Sequence, residues 1–157
     1  MASTNAGPQS RYEEEAGTFL STMGEVAPQL RLDYSVESLQ RLDHFISEHF
    51  EPLGEKSIAE SLPIGSGSYV GEVIIRHLGG HWNEEGRPEV NEVGALEVIY
   101  PIEKAHKRFQ NGREDSLAWY YHSIAKQAYE AEQIQAQKQE TQSGGGFFDF
   151  LSNLFKK

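Results

Sequence analysis

Glu72 and Arg76 stand one helical turn apart in the segment Gly67-x-Tyr69-x-Gly71-Glu72-x-x-x-Arg76-x-x-Gly79-Gly80-x-Trp82, the densest run of special residues in the chain. An acid four residues N-terminal to a base is the favoured orientation for a helical ion pair. Placing that pair in an otherwise apolar helix costs on the order of several kcal/mol per ion unless geometry and hydrogen bonds offset it. Two uses of the cluster follow. As a polar site, Glu72 would be the acid or base, Arg76 an anion clamp, and His77 or His81 a proton carrier. As a structural clasp, Glu72 and Arg76 would tie the helix to a following hairpin while Trp82 fills the core. No catalytic residue is assigned, because the chain contains no nucleophile elbow, Walker loop or Rossmann glycine pattern.

The other polar candidates are weaker. Of the six histidines, His77 and His81 have the spacing of a helical metal pair, but Gly79 and Gly80 lie between them and should break the helix. His44 and His49 are five apart and diverge. Neither a metal nor a cofactor is therefore expected. Lys104, His106, Lys107, Arg108 and Arg113 form a short basic run. At the C-terminal end of a helix such a run complements the dipole and sits in water. A net charge of -10 over 157 residues argues against nucleic acid as a partner. The imbalance is concentrated in residues 1–60, where 4 basic and 11 acidic side chains leave -7.

The chain that must position these residues has the length of one domain, with 38% hydrophobic residues. The absence of cysteine excludes a disulfide scaffold and Cys-ligated zinc or iron–sulfur sites. No stretch approaches the roughly 20 apolar residues that span a bilayer. Met1 to Ser10 lacks the basic and apolar regions of a secretory signal, so a cytoplasmic location is expected.

Periodicity predicts an α+β fold, mainly helical, with about five helices and a small antiparallel sheet of two to three strands in mid-chain. Residues 1–10 read as a disordered arm and 11–135 as one compact domain. A first helix covers about Arg11 to Ala27. A second is capped by Ser35, with Val36, Leu39, Leu42, Ile46 and Phe50 on one stripe. A short helical segment is expected at Lys56 to Leu62, before Pro63. Ile64 to Leu78 is apolar almost all round, the pattern of a buried helix. Ser66 or Ser68 would cap it, and Gly79-Gly80 would end it in the left-handed conformation. Gly67 and Gly71 would let another backbone approach. Strands follow at His81–Asn83, Glu89–Glu92 and Ala95–Tyr100. A helix from Pro101 to Gln110 and a long last helix from Asp115 or Ser116 complete the domain, with Leu117, Tyr120, Tyr121, Ile124 and Ala128 facing inward.

Leu32-Asp33-Tyr34-Ser35-Val36-Glu37-Ser38-Leu39, Tyr69-Val70-Gly71-Glu72-Val73 through Arg76 to Trp82, and Pro101 followed by Lys107-Arg108-Phe109-Gln110-Asn111-Gly112 with Asp115-Ser116-Leu117 occur in that order. This ordered set resembles a family of small bacterial proteins of unknown function. The resemblance covers roughly residues 30 to 125. It implies one compact α+β domain and a bacterial source, and it brings no activity with it.

Outside that span lie residues 136–146, which read as a flexible linker around Ser143-Gly144-Gly145-Gly146, and residues 147–157, an amphipathic docking tail. On a helix Phe147, Phe148, Leu151, Leu154 and Phe155 share one side, with Phe150 at its border. Burying six such side chains gains roughly 9–18 kcal/mol. Ordering the backbone costs about the same. The tail should bind modestly when offered a groove. The expectation is a non-catalytic interaction module whose partner is a protein with an apolar groove, contacted by Phe147, Phe148, Phe150, Leu151, Leu154 and Phe155. Two alternatives stand beside it: a small enzyme or ligand-binding domain around Glu72 and Arg76, and peripheral attachment of the tail to a membrane surface.

Overall fold

A computed structural model describes residues 10–51, 58–154 and 156, with residues 143–150 described through their backbone. The chain is mainly helical α+β. Helix α1 spans Arg11–Val26, α2 Val36–His49, α3 Ser61–Leu78, α4 Pro101–Asn111 and α5 Leu117–Leu154. Strands β1 (His81–Trp82), β2 (Val90–Val93) and β3 (Leu96–Ile99) lie between α3 and α4.

Local chemistry sets the boundaries. The Ser10 hydroxyl accepts from the Tyr12 amide, and Glu13 and Glu14 sit in the first turn of α1. Ser35 caps α2 through the Ser38 amide at 3.2 Å. Pro101 opens α4 and Gly112 closes it at φ +78°.

Helix α3 is the centre of the molecule and packs most heavily against α1 and α4. Tyr69, Val70, Val73 and Ile74 are all fully buried. Two glycines permit its closest contacts. A Cβ on Gly67 would lie 2.6 Å from Ile102 Cα of α4, and one on Gly71 would lie 2.3 Å from the Trp82 ring. The expected backbone approach is thus made at Gly67, whereas Gly71 admits an indole.

Two details of α3 differ from the sequence expectation. The helix starts at Ser61, so Ser66 and Ser68 are internal rather than caps. Pro63 falls in the first turn, where its missing N–H costs nothing. The Ser66 hydroxyl instead donates to the Leu62 carbonyl at 2.7 Å. Gly79 does terminate the helix at φ +87°, but ψ is -171°, an extended backbone of reversed sign rather than a left-handed turn. Of the short helix expected at Lys56–Leu62, Lys56 and Ser57 lie outside the described residues.

The sheet is antiparallel in the order β1-β2-β3. Trp82 pairs with Val90 and Val90 with Ile99, so one row across all three strands faces the core, and each of its members is buried. Helix α5 begins on the domain with Leu117, Ala118, Tyr121, Ile124 and Ala128 buried. It then continues to Leu154, with residues 132–142 exposed. The backbone is helical through 136–146, where the sequence reads as a flexible linker.

Candidate functional site

Glu72 is brought to the α3–β1 junction and buried to 6% exposure. One carboxylate oxygen accepts from the Trp82 indole N–H at 2.9 Å, and the other lies 3.5 Å from Arg76 Nε. The indole bond ties α3 to β1. The Arg76 side chain is half exposed, and its guanidinium lies 3.7 Å from the centroid of the Tyr34 ring. Tyr34 in turn stacks on Tyr69, with centroids 5.1 Å apart and planes 20° from parallel. Arg76, Tyr34 and Tyr69 therefore form a pile that closes the loop before α2 over α3.

The backbone of that loop is fixed from three sides. The Tyr34 amide donates to the Tyr69 hydroxyl at 2.9 Å, and the Tyr34 carbonyl is 2.8 Å from His77 Nε2. A carbonyl only accepts, so Nε2 carries the proton. The Arg41 side chain donates to the carbonyls of Leu30 and Arg31, both at 2.7 Å. These bonds hold Arg31 at φ +48° and Tyr34 at φ +60°, a region unfavourable to side chains other than glycine. The Tyr69 hydroxyl also meets Ser38 Oγ at 2.7 Å. Because Ser38 donates its own proton to the Ser35 carbonyl, Tyr69 is the donor in that contact. Burial pushes the phenols of Tyr34 and Tyr69 above their ordinary values.

Of the four residues singled out as a polar site, Glu72 and Arg76 are in contact, and His77 is engaged with Tyr34. His81 lies beyond Gly79–Gly80 on β1, exposed, with Nδ1 3.9 Å from the Glu92 carboxylate. Both oxygens of Glu72 are engaged within the fold, which is the geometry of a clasp. No three His, Asp or Glu side chains among the described residues are grouped to hold a metal ion.

The most elaborate polar constellation was not expected. Arg108 is 1% exposed, not solvated at the end of a basic run. Its Nε donates to Asp43 Oδ1, one terminal nitrogen to Glu51, and the other to the Asp43 carbonyl and Ser47 Oγ, at 2.7–2.9 Å. The Asp43 carboxylate also accepts from Ser116 Oγ and from the amides of Leu117 and Ala118, at 2.7, 3.0 and 2.9 Å. A residue of α2 thus caps α5, with the carboxylate at the positive end of the helix dipole. Burial raises the Glu51 carboxyl, but bonds from Arg108 and Ser47 and the charges of Arg108 and Arg113 outweigh it and leave it lowered. Lys104 pairs with Asp115 at 2.5 Å, and bonds from Lys104 and Asn111 lower that carboxyl. A cavity of about 380 Å³ opens beside the network, lined by Asp43, His44, Ser47, Arg108, Arg113 and Ser116. One signal for Asp43 was present in the sequence. It interrupts the apolar stripe Leu39, Leu42, Ile46 of α2, a position at which an acid needs a partner.

In the tail, Leu151 is half-buried and Leu154 is 59% exposed. The side chains of Phe147, Phe148, Phe150 and Phe155 lie outside the described residues. No helix among the described residues is long and apolar enough to cross a membrane. No family model, no curated protein and no solved structure matches the chain.

Proposed function

We propose that the protein is a non-catalytic interaction module whose helical body carries a C-terminal docking segment. One observation carries this reading: among the residues of α5 whose side chains are described, Ala128 is the last that is buried, yet the helix runs on to Leu154. Glu132 still lies against Gly94 of the β2–β3 turn, and at 1.5 Å per residue the 22 residues from Gln133 to Leu154 run about 33 Å further. A long polar stem with apolar residues at its far end is the build of a helix that lies in a partner's groove. The bonds of Glu72 to Trp82 and Arg76 give that cluster a scaffolding role, so the body serves as a base for the stem. The motifs on which the resemblance to a bacterial family rests fall on the same scaffolding, at Glu72, Arg76, Trp82, Arg108 and Ser116. A cytoplasmic protein of bacterial origin fits this reading.

The test is removal of residues 144–157. The shortened chain should retain its far-UV circular dichroism and dispersed amide resonances, and lose its partners in affinity capture. Retention of every partner after truncation would overturn the proposal.

A further inference from the structure

Asn111 is followed by Gly112, and it is the only one of the five asparagines in the chain that precedes a glycine. In such a pair the backbone nitrogen of the glycine can reach the asparagine carboxamide, because no Cβ on the second residue stands in the way. The nitrogen bonds to the side-chain Cγ, the bond from Cγ to the amide nitrogen breaks, and the proton leaves with it as ammonia. Water then opens the resulting cyclic imide at either carbonyl. The product is aspartate or its β-linked isomer, isoaspartate. Water enters, ammonia departs and the chain gains one negative charge. The surroundings of Asn111 bear on every atom of that reaction. The side chain is exposed at the end of α4, so water reaches it. Its amide nitrogen, the leaving group, donates to Asp115 Oδ2 at 2.7 Å. The attacking nitrogen is held as well, since the Gly112 N–H is bonded to the Arg108 carbonyl and closes the last turn of α4. Asn111 stands at φ -105° and ψ -9°, which keeps that N–H directed back along the helix. Bonds from Lys104 and Asn111 lower the Asp115 carboxyl, so the acceptor stays ionised at neutral pH.

We propose that Asn111 is a site of intramolecular deamidation, with water as the only co-reactant, and that the fold sets its rate through the bonds to Asp115 and the Arg108 carbonyl. The product alters the joint between α4 and α5. Residues 112–115 form the single turn that joins those helices, and the Asp43 carboxylate caps α5 directly after it. A carboxylate at 111 has no N–H to give Asp115, and it sets two negative charges where a hydrogen bond of 2.7 Å now stands. It also falls at the C-terminal end of α4, where the helix dipole disfavours an anion. The isoaspartate form goes further. It lengthens the main chain by one methylene and displaces the amide that closes the helix.

Incubation of the full chain in mildly alkaline buffer, followed by trypsin, is the test. Cleavage after Arg108 and Arg113 releases Phe109 to Arg113 as one peptide, whose asparagine, aspartate and isoaspartate forms separate by chromatography and mass. Both products should accumulate in urea. In the folded protein they should form more slowly by roughly tenfold, the factor that about one retained hydrogen bond imposes on a rate. D115A, confirmed as folded by circular dichroism, takes the acceptor from the Asn111 amide. It should raise the folded rate several-fold and leave the rate in urea unchanged. D115N keeps an oxygen but no charge and should fall between. K104A removes the same ion pair but keeps the acceptor, and should stay near the rate of the unaltered chain. Equal rates in the folded and unfolded chain, no conversion at 111 in either, or acceleration by K104A equal to that by D115A would overturn the inference. N111D should melt below N111A, since both lose the amide and only the first adds a charge. Equal melting of those two would overturn the effect on the joint.

Discussion

Arg108 meets Asp43 twice, through Nε to the carboxylate and through a terminal nitrogen to the carbonyl, both at 2.9 Å. The same carboxylate holds the first amides of α5. Arg108 of α4 is thereby joined to the root of the projecting helix through a residue of α2. R108A should destabilise the protein by roughly 3–5 kcal/mol, the cost of stranding a buried charge. R108K should fall between, since an ammonium lacks the planar fork. Urea unfolding of R108A, D43A and the double variant checks the coupling. D43A should cost less in the R108A background than alone.

Acid should act on the same network. The Glu51 and Asp115 carboxyls are lowered in the folded protein, so both release their protons more readily there than in the unfolded chain. Their stabilisation is complete above the unfolded values and is lost as pH falls through the folded ones. Thermal unfolding should be flat near neutrality and should decline below about pH 4.5, the ordinary value for glutamate. E51Q should flatten part of that decline while leaving the neutral-pH curve little changed in shape.

The clasp at Glu72 separates two substitutions. E72L leaves the buried Trp82 N–H without an acceptor and should cost about 1–3 kcal/mol. E72Q keeps a carbonyl oxygen for the indole and should cost less. Denaturation followed by tryptophan fluorescence measures both. An E72Q protein with native stability but loss of a bound small molecule would return the cluster to the category of a ligand site.

Glycines in α1 and α3 should respond in opposite senses. Gly17 has open space where a Cβ would stand, so G17A should stabilise by up to about 1 kcal/mol. G71A drives a methyl into the Trp82 ring and should destabilise by about 1–3 kcal/mol or more. Melting temperatures of the two variants give the signs directly.

Elements with strong periodicity were legible from the chain alone. The Ser35 cap and the Leu39, Leu42, Ile46 stripe define α2, and the turn residues between His81 and Tyr100 define the sheet. The start of α3 was not legible because Pro63 reads as a boundary, although the first turn of a helix tolerates it. Glu72 and Arg76 could be paired because four residues separate them. Arg108 could not, since its carboxylates at Asp43 and Glu51 are 65 and 57 residues away. Within its own segment it is one basic residue among several, and only the fold distinguishes it from Lys107, which pairs with Glu103 on the surface.

Helix α3 carries Gly65, Gly67 and Gly71 against Phe19, Ile102 and Trp82. Each glycine lowers intrinsic helicity by about 1 kcal/mol relative to alanine. The segment at the heart of the molecule is thus a poor helix by itself and gains its order from the neighbours that close upon it. During folding it should consolidate late, after α1 and α4 have gathered. Once closed, its amides should exchange with solvent only when the whole domain opens.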